Sequence, residues 1–116
     1  MGAKMSLQHK GLASGRWNQM PFLEQMANIG SEISRSLNWL KKGNNEYSQK
    51  AVCRALELID MTLASVKTLP RYKEIARARE AIIDYFYGKN EFSSTEKVWR
   101  SYFDHFAYAA QKERGR

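Results

Sequence analysis

Cysteine occurs once in these 116 residues, at Cys53, so no disulfide can close within the chain and no cysteine-rich metal site exists. His9 and His105 are the only histidines and offer no metal-ligand spacing with Cys53. No metal and no cofactor are expected. The seven glycines are isolated from one another, which excludes a glycine-rich phosphate loop. Proline stands only at Pro21 and Pro70, each where a helix would begin. No apolar run approaches the length of a membrane span, and the first residues, MGAKMSLQHKGLASG, lack the apolar core of a secretion signal. A cytoplasmic protein without membrane contact is expected. Acidic residues are also scarce: twelve Asp and Glu face nineteen Lys and Arg, a net charge of +7. In so small a chain that imbalance points to a polyanionic partner, and nucleic acid is the commonest within cells.

What the chain does contain is helical periodicity. Between Pro21 and Lys42 the residues Leu23, Met26, Gly30, Ile33, Leu37 and Leu40 recur at steps of three and four. That spacing draws one narrow apolar seam along about six turns of helix. Ala27, Ser31 and Ser34 lie beside the seam and, with Gly30, make a flank small enough for close helix approach. Glu24, Asn28, Glu32, Arg35 and Lys42 are expected to face water. A helix of this length cannot bury its stripe alone, so partner helices must come from the rest of the chain.

Residues 1–16 show scattered Gly, Lys and Arg without periodicity and read as a flexible basic arm. The bundle is expected over 17–116. Trp17 before an Asn18 N-cap, with Phe22 at N4, has the spacing of a hydrophobic staple. It anchors a first helix over about 20–42. Gly43 closes that helix after Lys41 and Lys42, cations placed at the negative end of its dipole. Asn44 and Asn45 turn the chain into a second helix, about 46–67, with Val52, Leu56, Ile59, Leu63 and Val66 as its seam. The segment GNNEYSQKAVCRALELID superficially resembles a tetratricopeptide helix, but no second copy follows, which excludes a solenoid. Pro70 opens a third helix, about 70–87, with Tyr72, Ile75, Ile82 and Phe86 on one stripe. Arg79 interrupts that stripe and reads as an ion-paired or snorkelling residue at the core edge. Ser93 and Glu96 have capping-box spacing. A fourth helix, about 94–112, carries Trp99, Tyr102, Phe106 and Ala109 on its seam, with Phe103 and Ala110 beside it. Tyr85 and Tyr108 fall off their stripes, as surface residues would. The expected fold is all-α, an antiparallel up-down-up-down four-helix bundle with short turns.

One pair of residues has a catalytic spacing. Arg100 and His105 in WRSYFDHFAY fit the R-x4-6-H pattern of HEPN-domain ribonucleases, which this chain resembles as a small helical bundle with the motif late in the sequence. The resemblance implies that Arg100 steadies a phosphate and His105 moves protons across a dimer interface, without metal. Ser101 stands where the family commonly has another polar residue.

The basic residues form clusters. Lys41 and Lys42 end the first helix, Arg71, Lys73 and Arg77 open the third, Lys89 precedes the fourth, and Lys112, Arg114 and Arg116 end the chain. In the expected topology they gather at two ends and, with no groove-reading motif, suit phosphate-backbone contact, as to structured RNA. Four long helices, short turns and strong positive charge over about residues 20–112 resemble basic four-helix-bundle accessory proteins. These include the reverse-transcriptase accessory proteins of diversity-generating retroelements and the proteins encoded in ribosomal-RNA intervening sequences. That resemblance implies a homo-oligomer that binds RNA together with a reverse transcriptase. It assigns no residue. The leading expectation is a non-enzymatic RNA-binding adaptor, ahead of the ribonuclease and of a protein–protein interaction module whose charge serves solubility.

Overall fold

The computed structural model describes residues 15–115, and among them every regular element is helical: α1 (Trp17–Gln19), α2 (Phe22–Lys41), α3 (Asn45–Ser65), α4 (Leu69–Tyr87) and α5 (Glu96–Arg114). The proposed basic arm, apart from Gly15 and Arg16, lies outside the described residues. The long helices follow the expected ranges to within about two residues, and the differences are matters of capping. The first helix divides: Trp17–Gln19 form a separate turn, and Pro21 is the N-cap of α2 rather than part of its first turn. Asn44 caps α3, its side chain accepting from the Tyr47 N–H, and Thr68 does the same for Arg71 at α4. The Ser93–Glu96 capping box does not form. Thr95 caps α5 through the Val98 N–H, while Ser93 sits at φ +57°. Gly43 takes φ +79° directly after α2, a left-handed conformation that glycine reaches without a Cβ penalty.

α2 packs against both α3 and α5, α4 packs chiefly on α3, and α1 rests on α3. Its contacts separate two faces of α2. Gly30 lies against Phe103, and Ser34 and Asn38 accept from Arg100, all on α5. On the other face Ser36 shares a 2.8 Å hydrogen bond with Ser48, and Glu32 accepts from Arg54, both on α3. Being covered twice explains why the buried face is broader than the expected seam. Met26, Gly30, Ile33 and Leu37 are buried as the spacing demands, but so are Gln25, Ile29 and Ser36. Glu32, expected in water, is buried and paired with Arg54 at 3.1 Å and Arg35 at 3.3 Å. Leu40, at the end of the seam, is 40% exposed.

The core continues through Val52, Ala55 and Ile59 of α3, Ile75 and Ile82 of α4, and Trp99, Phe103 and Phe106 of α5. Each of the larger side chains contributes about 1.5–3 kcal/mol on burial. On α5 Trp99 and Phe106 of the expected seam are buried, but the other two places are taken by the flanking Phe103 and Ala110, and Tyr102 and Ala109 are half-covered. Tyr72, expected on the apolar stripe of α4, is 46% exposed. Arg79 is ion-paired, its guanidinium donating to both oxygens of Asp60 on α3.

Trp17 anchors the start of the chain differently from a staple. It is 1% exposed, and its indole N–H donates to Thr62 Oγ1 at 2.9 Å while its carbonyl accepts from Gln25. Thr62 donates in turn to the Leu58 carbonyl, so the buried hydroxyl is satisfied in both senses. Phe22, the expected staple partner, instead sets its ring edge-on to Phe106.

A Cβ added at Gly30 would stand 2.6 Å from Phe103 Cβ and 2.9 Å from its Cγ. Those atoms lie at the root of the side chain and cannot swing away. Gly30→Ala is expected to lower stability by about 1–3 kcal/mol through overpacking, against the gain of up to ~1 kcal/mol that alanine brings to a helix interior. Urea denaturation of the two proteins measures it, and an equal or more stable variant would mean that α2 and α5 are not in this contact.

Candidate nucleic-acid interface

The start of α4 is built by the Thr68 cap and Pro70, which project Arg71 and Lys73 into solvent. Arg71 lies with its guanidinium 4.3 Å from the centre of the Phe22 ring. An aromatic face orients a cation without neutralising it, so Arg71 is held in place and keeps its charge. The same contact brings the start of α4 to the start of α2, where Arg114 of α5 pairs with Glu24. Lys112 lies over the Tyr108 ring at 5.8 Å. Arg16, the last cation of the expected basic arm, and Lys67, which the sequence did not single out, are exposed beside the starts of α1 and α4. Lys67 follows the end of a helix just as Lys42 does, and that shared position was the available signal. Arg77 stands further along α4, in a cleft shared with Glu74 and with Val98 and Tyr102 of α5. There the Tyr102 hydroxyl donates to Glu74, and burial, with that carboxylate alongside, raises the phenol's pKa.

At the opposite ends of these helices the two lysines of α2 part company. Lys41 pairs with Glu96 of α5 at 3.2 Å, which spends its charge within the fold. Lys42, just beyond the helix, lies over the Trp39 ring at 5.1 Å, and Trp39 meets Tyr47 of α3 edge-on at 4.9 Å. Lys50 covers the Tyr47 ring at 5.3 Å and reaches Glu46 at 3.6 Å. This interleaving of lysine and aromatic rings was not recognised from the sequence, because Trp39 and Tyr47 belong to different helices. Lys89 is exposed in the α4–α5 connection, whose backbone is pinned where Asp84 accepts from the Glu91 and Phe92 N–H groups. Lys97 is a further exposed cation nearby. Tyr108 is 64% exposed as expected, whereas Tyr85 is half-buried and packs against Phe86 and Trp99. Arg116 lies outside the described residues.

Arg100 is a brace rather than a free group. Its guanidinium donates to Glu96 at 2.8 Å, Ser34 at 3.0 Å and Asn38 at 2.8 Å, tying α5 to α2. His105 is exposed, its ring edge-on to Phe106. Five residues along a helix turn through about 140° beyond a full turn, so one chain directs the two side chains apart. Among the described residues no cluster of metal-ligating side chains occurs, and no helix is long and apolar enough to cross a membrane.

Glu96, receiving hydrogen bonds from Arg100 and Lys41, has its carboxyl pKa lowered. A lowered value means stability that is present at neutral pH and lost as the pH falls through it. Glu96→Gln is therefore expected to flatten the acid side of the stability curve, measured by urea unfolding between about pH 3 and about pH 7. An unchanged acid limb would show that these contacts do not form in solution.

Comparison with protein families, with curated proteins and with solved structures finds no match for this chain.

Proposed function

We propose that this chain is a non-enzymatic RNA-binding accessory protein that grips phosphate backbone through the ends of its helices. In this reading α2–α5 form an antiparallel up-down-up-down four-helix bundle, working in the cytoplasm as a homo-oligomer beside a protein partner such as a reverse transcriptase. The observation that carries it is the division of charge. Glu24, Glu32, Glu46, Asp60 and Glu96 are engaged in ion pairs within the fold. Lys42, Lys67, Arg71, Lys73, Lys89, Lys97 and Lys112 make no ion pair among the described residues and lie at the helix ends. Of these, Lys42, Arg71 and Lys112 are steadied on aromatic rings, which leaves their charge available to phosphate.

A ribonuclease reading would require Arg100 to leave Glu96, Ser34 and Asn38 before it could hold a phosphate. As a brace, it predicts a stability effect instead. Arg100→Ala is expected to cost about 1–2 kcal/mol in urea unfolding, the scale of charge-assisted hydrogen bonds to partly exposed groups. RNA incubated with the wild type in chelator is expected to remain intact. Cleavage that disappears in both Arg100→Ala and His105→Ala would replace the adaptor with the nuclease.

Binding through backbone contacts has a salt signature. Each neutralised phosphate contributes about 0.7–0.9 to the fall of log affinity with log salt. Replacing both Arg71 and Lys73 by Ala is expected to reduce that slope by about 1.5, whereas Lys41→Ala, already paired with Glu96, is expected to change it by less than half a contact's worth, about 0.4. Fluorescence anisotropy of labelled RNA across a salt series measures both. Absent binding at low salt, or a slope indifferent to Arg71 and Lys73, would leave the protein–protein module as the better reading.

A further inference from the structure

We propose that the cavity between the start of α3 and the end of α4 takes a single unpaired adenine base of the bound RNA, an inference that rests on the RNA-binding reading above. The cavity measures about 400 Å³, within the roughly 300–1,000 Å³ usual for small-ligand sites. Its apolar walls come from Leu40 at the end of α2, Val52 of α3 and Phe86 of α4, and Tyr87 stands at its side, next to Cys53.

Two polar side chains distinguish this cavity from a gap in packing. Asn45 and Gln49, one helical turn apart on α3, both line it, and both are exposed. Neither carboxamide has a hydrogen-bond partner among the described residues. The neighbouring polar groups are already committed: Asn44 caps the helix through the Tyr47 N–H, and the Ser48 hydroxyl is shared with Ser36. Each free carboxamide presents one acceptor and two donors. That pattern matches the adenine edge, where N7 accepts and the exocyclic amine donates.

Charge sorts the ligand further. No residue lining the cavity is charged, so a phosphate would lose its hydration there without gaining a counter-charge. Lysines follow the lining residues in the chain without lining the cavity: Lys89 lies two residues beyond Tyr87 and Lys42 two beyond Leu40. A neutral planar heterocycle inside, with its phosphates left outside the cavity, is the arrangement such a lining favours. A base paired in a duplex cannot reach such a cavity, whereas a splayed base in a loop or single strand can.

The test uses the whole chain, with a labelled oligoadenylate and the same strand carrying abasic sites, followed by anisotropy at fixed salt. The wild type is expected to bind the oligoadenylate about tenfold more tightly. Asn45→Ala/Gln49→Ala is expected to lose that preference while keeping its affinity for the abasic strand and its salt slope. Both positions are exposed and outside the cap, so this variant keeps the fold. Equal affinity of the wild type for the two strands would overturn the base pocket and leave the phosphate reading standing. If no RNA binds even at low salt, the RNA reading fails, and adenosine added to the labelled protein decides the cavity by itself. Amide NMR shifts confined to 45–52 and 85–87, and absent from the double variant, would uphold the pocket; undisturbed amides there would overturn it.

Discussion

Contact between Gly30 and Phe103 sets the distance at which α5 can approach α2, and most of the remaining structure follows from that distance. With a bare backbone at position 30, the Phe103 side chain reaches α2 directly. Arg100, one turn before Phe103, then lies within reach of Ser34 and Asn38, and Glu96 within reach of Lys41. A single small residue thus brings into register a ladder of polar contacts along about two turns of α5. Phe103 also stacks on Trp99 and meets Tyr102 edge-on, so the aromatic cluster depends on the same close approach.

The opposite face of α2 is joined to α3 by different chemistry. Buried polar groups occur there in satisfied pairs, Ser36 with Ser48 and Glu32 with Arg54, while Thr62 of α3 is satisfied between Trp17 of α1 and Leu58. A buried polar group without a partner is costly, so the two pairs favour one register of α3 against α2, and the Trp17–Thr62 bond holds α1 on α3. α4 lacks such sets along most of its length, with Ile75 and Ile82 its only buried side chains and Arg79–Asp60 its tie to α3. It is the least embedded long helix, and the cavity proposed for a base lies against its last turn.

The charge that dominates the composition is not spread evenly over the fold. Among the described residues Glu24, Glu32, Glu46, Asp60 and Glu96 are held in ion pairs, and Glu96 joins Lys41 to Arg100. Cations outside those pairs lie toward the helix ends, where Lys42, Arg71 and Lys112 rest on aromatic rings. The excess of positive charge comes from composition, because an ion pair withdraws at least one cation for every carboxylate it uses.

Helical periodicity, helix lengths and most turns were legible in the residues, because each depends on neighbours three or four positions away. The Met26–Gly30–Ile33–Leu37 seam and Gly43 after α2 are of this kind, whereas Arg79 stood out in its stripe but its partner, Asp60, lies on another helix. Caps were less legible: Thr95 and the nearby Ser93 are equally able to cap, and only the path of the α4–α5 connection, held by Asp84 and Asn90, selects between them. The separation of Lys41 from Lys42, the burial of Glu32, the Trp17–Thr62 bond and the cavity beside Asn45 and Gln49 were not legible at all. Each joins residues from different helices, and the rotation of one helix about its axis relative to another is decided by packing across the whole core. The sequence alone therefore determined which segments are helical, how much positive charge they carry and which cations have a ring three or four residues away, as Lys42 has Trp39 and Lys112 has Tyr108; tertiary packing decided that Lys41, Arg79 and Arg114 are paired, because only contact between helices brings Glu96, Asp60 and Glu24 to them.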